Sequence, residues 1–187
     1  MLSKHPKYSK MRSLQTGVGL IEVLIAVLLV AFGLLGAAGM QARSISYTLD
    51  TERRQMASTV AVDLLEMMRS DASNVLKADG TPKDDLGGYQ KAKGTALPAV
   101  TVNNTANECK STVVAVDKRM GCWGARAKRL MPELTDALIT SQYSVSASAN
   151  GVVSVVVAWP VKKGQCLSSD ATSADNEYCT FKLQSRL

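Results

Sequence analysis

The first long feature of the chain is an uninterrupted apolar run. From Val23 to Met40, 18 residues carry no charged or strongly polar side chain, and one acid, Glu22, stands directly before them. A helix needs about 20 apolar residues to cross a bilayer, so the run predicts a helix that spans or nearly spans a membrane. Glycines recur at every third position within the run, a spacing that favours local loosening of the helix slightly over close helix packing. They are Gly33, Gly36 and Gly39.

Beyond Gln41 the pattern becomes that of an amphipathic helix. Apolar residues recur at separations of four, seven, four, four and three positions, which predicts a helix with one buried face. They are Ile45, Leu49, Met56, Val60, Leu64 and Met67. The two segments together predict one long N-terminal helix over residues 18–76, with about 18–42 in the membrane. Residues 77–187 are then left to form a globular head.

The first part of the head lacks a periodic pattern. Residues 77–108 are rich in Gly, Asp, Lys, Thr and Asn, and "ADGTPKDDLGG" is a cluster of turn formers, so we expect a long exposed connection there. A second, short helix follows, because Met120, Trp123, Ala127 and Leu130 are spaced by three, four and three residues. Asp117 is its expected N-cap, and Pro132 lies just beyond its expected end.

The end of the chain alternates like β-strands. In "QYSVSASANGVVSVVVAWP" the residues Tyr143, Val145 and Ala147 share one face, and Asn150-Gly151 is a strong hairpin signal. A β-branched strand from Val152 to Trp159 follows, and "YCTFKLQSRL" predicts a third antiparallel strand. The fold class is therefore α+β, with a long helix packed on a small antiparallel sheet.

Charge is concentrated at the N-terminus. The chain has 22 basic and 16 acidic side chains, a net charge of +6, and four of the basic residues precede the apolar run, where no acid occurs. Without those four, 18 basic residues face 16 acidic ones and the net charge falls to +2. This asymmetry predicts a cytoplasmic N-terminus and an exported head. The remaining charge is too small to argue for a polyanionic partner.

All four cysteines lie behind the apolar run, as expected for two disulfides in an oxidising compartment. No two of them lie close enough in sequence for a CxxC-type zinc site, so no metal is predicted. If the second helix begins near Asp117, the preceding loop can fold back and bring Cys109 to Cys122. The favoured pairing is Cys109 with Cys122 and Cys166 with Cys179, although four cysteines allow three connectivities.

Candidate catalytic chemistry is sparse. The only histidine, His5, precedes the apolar run, and no nucleophile-elbow, phosphate-loop or zinc-protease motif occurs. The paired acids Asp84 and Asp85 fall in the turn-rich loop, where solvated charges are the ordinary explanation. We therefore expect neither an enzyme nor a cofactor. Basic residues of the second helix are the best nucleic-acid candidate, although such clusters are usually solvated, so nucleic-acid binding is not expected. They are Arg126, Lys128 and Arg129, with Lys162 and Lys163 after Trp159.

The start of the chain resembles the class III signal of type IV prepilins. A basic leader ends at Gly17, Val18 follows, and Glu22 is the fifth residue after the glycine. The resemblance implies removal of residues 1–17 by prepilin peptidase between Gly17 and Val18, and N-methylation of Val18. It also implies that Glu22 offsets the N-terminal amine of a neighbouring subunit in the filament core. The first mature residue is Val18 where pilins usually carry Phe, and the usual helix-kinking proline is absent.

Two further segments narrow the resemblance to PilV-type minor pilins of the type IV pilus. They are "SISYTLDTERRQMASTVAVDLLEMMRSD" and "RMGCW", with Pro132 nine residues after the tryptophan. The implied role is to prime pilus assembly within a tip complex that supports twitching motility and adhesion. Implied partners are other minor pilins, the major pilin, a tip adhesin and the inner-membrane assembly platform. The implied location is the inner membrane with a periplasmic head, then the pilus. A type II secretion pseudopilin is the close alternative, and a DNA-binding minor pilin is a more distant one.

Overall fold

The computed structural model describes residues 19–103, 107–110, 114–148, 150–163, 166 and 177–187. Contacts divide the chain into an N-terminal unit that ends at Ile45 and a head unit, Ser46–Leu187. The described residues form four α-helices and three β-strands. The helices are α1 (Leu20–Ser70), α2 (Ala72–Val75), α3 (Val116–Leu130) and α4 (Asp136–Gln142), and the strands are β1 (Ser144–Ala147), β2 (Val152–Pro160) and β3 (Tyr178–Arg186). The fold class is α+β, as predicted.

The head part of α1 contributes one side of the core. Its buried apolar residues recur at helical spacing, as expected for a helix that packs along one face. They are Ala57, Val60, Ala61, Leu64, Leu65 and Met68. The predicted stripe was wrong at its beginning, because Ile45 is 61% exposed and Leu49 is 46% exposed. Periodicity alone placed these two residues on the stripe, but the described residues do not bury them.

The sheet is antiparallel with the strand order β1-β2-β3, which agrees with the three strands expected from the sequence. Its central strand is the β-branched β2, where Val155 pairs with Val145 on one side and Leu183 on the other. Gly151 has φ of 75° in the turn between β1 and β2, a conformation that glycine adopts without strain. Because β2 has a partner on both sides, its residues supply most of the buried positions of the sheet.

Helix α3 is fastened to α1 by a buried tryptophan. The indole Nε1 of Trp123 donates a hydrogen bond to the backbone oxygen of Val60 at 2.8 Å, and its ring lies 5.6 Å from that of Tyr143. The predicted N-cap was wrong: the helix begins at Val116, Ala115 occupies the cap position without a side-chain hydrogen bond, and Asp117 lies in the first turn. An acid in the first turn still favours the helix through the dipole, so the sequence signal was displaced by two residues.

Helix α4 was not expected from the sequence, because its seven residues carry too short an apolar pattern to stand out. Thr135 caps it by accepting a hydrogen bond from the Leu138 amide. Tyr143 is the C-cap of α4 rather than the first residue of a strand, but it is fully buried as the alternating pattern required. The strand prediction therefore began one residue too early.

The connection after α2 is largely exposed, as its composition predicted, but three of its side chains are buried. Leu86, Tyr89 and Lys91 are buried, and Lys91 exchanges two backbone hydrogen bonds with Val145 at the edge of β1. Turn residues bend the chain so that its few large side chains reach the core. Low apolar content in this segment therefore did not exclude burial of individual side chains.

A second part of the same connection lies against α3. A Cβ atom at Gly121 would overlap the backbone oxygen of Pro98, and one at Gly124 would overlap Cδ1 of Leu97. The two glycines, one helical turn apart, thus leave a groove that the segment occupies. The sequence contains this signal only as two small residues in a helix, which by itself does not identify the occupant.

Candidate functional site

The apolar half of α1 is the most unusual surface of the protein. From Leu20 to Met40 every large apolar side chain is exposed, on all sides of the helix. Among the described residues, α1 is the helix that is long and apolar enough to cross a membrane. Such a surface is strongly unfavourable in water, since burying one large apolar side chain stabilises a protein by about 1.5–3 kcal/mol relative to leaving it exposed. The segment therefore requires a lipid or protein environment, which fits a membrane anchor.

Glu22 stands in the first turn of this helix, and its side chain is exposed. Its backbone amide donates to the Gly19 oxygen at 2.8 Å, within the first hydrogen bonds of the helix. The carboxylate thus lies where the helix dipole favours negative charge, a contribution of about 0.3–1 kcal/mol. Gly17 and Val18, the expected cleavage site and methylated residue, lie outside the described residues.

The three glycines of the apolar segment have open surroundings. A Cβ atom at Gly33, Gly36 or Gly39 would meet no atom within 4 Å. No contact among the described residues therefore explains why these positions lack side chains. Glycine in a helix costs about 1 kcal/mol relative to alanine. A neighbouring molecule or a loosened helix is left as their explanation.

Two disulfides stabilise the head. The structure pairs Cys109 with Cys122 and Cys166 with Cys179, at Cα separations of 5.5 and 5.6 Å. The first joins the short 3-10 turn Glu108–Lys110 to α3, and the second joins the start of β3 to the chain that precedes it. These are the pairs that the sequence favoured among three connectivities. Disulfides form and persist mainly in proteins of oxidising compartments.

The basic residues considered for nucleic-acid binding are largely paired with acids. Arg126 forms an ion pair with Asp63 at 3.2 Å, and Lys128 forms one with Asp136 at 2.7 Å. Arg129 has no ion pair within the part of the chain that the structure describes. Of these three basic residues, only Arg129 keeps a charge that no described acid compensates. A single free charge is weak support for a phosphate-binding face.

Lys91 is a buried cation that the sequence did not reveal. The residue is only 4% exposed. Its ammonium donates hydrogen bonds to the backbone oxygens of Tyr143 at 2.9 Å, Thr140 at 3.2 Å and Ala92 at 3.3 Å. All three of its donors are therefore used, and burial lowers the pKa of this ammonium. A lysine in "YQKAKG" gives no sequence signal, because only the packing of the chain around it removes it from water.

Asp50 is a second unexpected buried charge. It is 7% exposed, and neither of its carboxylate oxygens has a hydrogen-bond partner among the described residues. The Tyr143 hydroxyl is likewise buried without a partner, and burial, reinforced by the charge of Glu133, raises the pKa of that hydroxyl. Unpaired buried polar groups cost about 1–3 kcal/mol each. These positions therefore reduce the stability of the head.

The described acids do not form a metal-binding group. Asp84 lies exposed beside Lys77 at 3.7 Å, and Asp85 accepts a hydrogen bond from the Gly87 amide within a turn. Within the described ranges no three histidine, cysteine, aspartate or glutamate side chains come together to hold a metal ion. Both acids thus have local roles in turns and solvation, as expected from the sequence.

Comparison with known proteins adds no relative. No family model matches the chain, and no curated protein or solved structure is significantly similar to it. The function must therefore be inferred from the residues and from the geometry described above.

Proposed function

We propose that this chain is a PilV-like minor pilin of the type IV pilus, with a type IV pilin fold. In this role it primes pilus assembly in a tip complex and supports twitching motility and adhesion. The observation that carries the proposal is Glu22, the lone carboxylate at the head of an apolar helix whose side chains are exposed all round. An ordinary anchor has no need of an acid at that place.

The energetic argument concerns the carboxylate in an apolar assembly. An acid at the centre of a membrane helix costs about 2.5–3.5 kcal/mol on insertion scales, which is an upper bound for Glu22 in the first turn. A free amine about 4 Å away contributes roughly 4 kcal/mol at an effective dielectric constant near 20. Cleavage between Gly17 and Val18 would create such an amine, and a neighbouring subunit would bring it to Glu22. The pairing thus offsets the cost of the acid only when subunits assemble.

The head is consistent with this role. Its core is formed by α1 and a small antiparallel sheet, and two disulfides suit a head that stands in the periplasm and later outside the cell. The proposed partners are prepilin peptidase, the major pilin, other minor pilins, a tip adhesin and the assembly platform. Open positions at the three glycines of α1 give neighbouring helices room to approach.

Two experiments test the proposal in sequence. Mass spectrometry of the mature protein is expected to find an N-methylated Val18 as first residue, and an unprocessed Met1 or a different cut refutes the prepilin assignment. Glu22→Ala is then expected to leave membrane insertion intact and to reduce incorporation into the filament complex. Glu52→Ala, which removes an exposed acid from the head part of α1, is the matched control. Equal incorporation of both variants would show that the Glu22 carboxylate is a bystander.

A type II secretion pseudopilin would share the leader and the architecture. Deletion of the gene separates the two assignments, because loss of surface pili supports a pilin and loss of exported enzymes supports a pseudopilin. The ion pairs of Arg126 and Lys128 leave DNA binding without a specific supporting observation.

A further inference from the structure

A cleft of about 510 Å³ opens on the head beside the Cys109–Cys122 disulfide. Its walls come from the end of α1, the 3-10 turn Glu108–Lys110 and one side of α3. Its volume lies within the roughly 300–1,000 Å³ of ordinary ligand sites. None of the residues that the sequence singled out for assembly, cleavage or membrane insertion belongs to it.

The cleft is strongly cationic. Four basic side chains line it, whereas Asp71 is the single acid among the described lining residues. They are Lys110, Arg119, Arg126 and Arg129. Two of these are compensated, because Arg119 is paired with Asp71 and Arg126 is paired with Asp63. Lys110 and Arg129 have no ion pair within the described ranges, so two positive charges face the cleft unneutralised.

The floor of the cleft is held in place by a hydrogen-bonded group. The Arg119 guanidinium donates to the Asp71 carboxylate and, at 2.9 Å, to the hydroxyl of Tyr89, which in turn donates to Asp71 at 3.3 Å. Arg119 and Asp71 retain 25% and 19% of their side-chain exposure, so they face the opening rather than the core. The disulfide fastens the neighbouring wall, which carries Lys110, to α3. Donors and charges are therefore positioned before any ligand arrives.

Apolar walls accompany the charges. Met67 and Val114 line the same cleft, so a ligand there meets both cations and apolar surface. A bare phosphate would leave the apolar surface unused. A nucleic-acid strand would call for a longer row of free cations than Lys110 and Arg129 provide. A short peptide that carries acidic and apolar side chains uses both kinds of surface.

We propose that this cleft binds an acidic peptide segment of a partner protein, with Lys110 and Arg129 contacting its carboxylates. Met67 and Val114 receive its apolar side chains. The proposal rests on the cleft alone and does not depend on the assignment as a pilin. It assigns an interaction surface to a part of the chain that the assembly helix does not involve.

The test uses the full-length chain in nanodiscs of neutral phosphatidylcholine, with empty nanodiscs as blank. The probe is a fluorescein-labelled peptide of alternating glutamate and leucine, compared with the same peptide carrying glutamine in place of glutamate. The double variant Lys110→Ala/Arg129→Ala is compared with Lys93→Ala/Lys128→Ala. The second pair removes the same charge from residues that do not line the cleft, and Lys128 lies on the same helix as Arg129.

The glutamate peptide is expected to bind and the glutamine peptide is not. Loss of two partly exposed ion pairs predicts roughly tenfold weaker binding for Lys110→Ala/Arg129→Ala, and less than a twofold change for the control pair. Equal weakening by both pairs would attribute binding to net charge and overturn the proposal. Absence of glutamate-peptide binding at physiological salt, or tighter binding of single-stranded oligothymidylate than of the peptide, overturns it as well.

Discussion

Lys91→Met is the sharpest test of how the head is built. The substitution keeps a long, flexible side chain and removes the ammonium that donates to three backbone oxygens. Two of those oxygens keep other donors. The Thr140 oxygen also accepts from the Gly94 amide, and the Ala92 oxygen also accepts from Thr95. The backbone oxygen of Tyr143 accepts no other hydrogen bond from the described residues. One buried carbonyl group is therefore expected to lose its donor.

The expected loss follows from that single carbonyl. A buried acceptor left unsatisfied costs about 1–3 kcal/mol. Removal of the buried charge is itself favourable and offsets part of this cost. We therefore expect Lys91→Met to lower the free energy of unfolding by about 2 kcal/mol. For a chain of this size that corresponds to a fall in Tm of about 4–8 °C. Lys93→Met, which alters an exposed lysine two residues away, is expected to change stability by less than about 0.5 kcal/mol.

The effect also depends on pH. Burial lowers the pKa of Lys91 below its ordinary 10.5, so the unfolded chain holds this proton more tightly than the folded chain. Between the lowered folded pKa and 10.5, stability of the parent protein therefore rises with pH relative to Lys91→Met. Urea unfolding in a non-ionic detergent, followed by circular dichroism, measures the free energy of unfolding and its dependence on pH. Equal stability of Lys91→Met and Lys93→Met would refute the structural role of the ammonium.

Two further substitutions test the packing of the head. Gly121→Ala is expected to lower the free energy of unfolding by about 1–2 kcal/mol, because overlap with the Pro98 oxygen outweighs the better helix propensity of alanine. Gly39→Ala is the control, because Gly39 has open surroundings. It should show no loss of stability in the same urea titration. Asp50→Asn is expected to raise the free energy of unfolding by about 1 kcal/mol, because it removes an unpartnered buried charge. Glu52→Gln should change it by less than about 0.5 kcal/mol, and a loss of stability in Asp50→Asn would mean that the carboxylate has a stabilising partner.

Local patterns predicted the regular elements well. The apolar run, the β-branched strand and the hairpin glycine each act through neighbours in sequence or through one periodic face. Strand β2 begins at Val152 as expected, whereas α1 ends at Ser70 and the separate short helix α2 covers Ala72–Val75, where one helix was expected to continue to residue 76. Errors arose where local signals were weak. Helix α4 has too few residues for a periodic pattern, and the N-cap of α3 carries no side-chain hydrogen bond.

By itself the sequence determined the α+β class, the long apolar N-terminal helix, the position of Glu22 and the preference for two local disulfides. These depend on composition, periodicity and short separations along the chain. Only the tertiary structure decided that Lys91 and Asp50 are buried and that a cationic cleft forms beside Cys109–Cys122. Burial and charge compensation depend on residues that are distant in sequence and meet only after folding. Lys91, for example, meets Tyr143 across 52 positions of the chain.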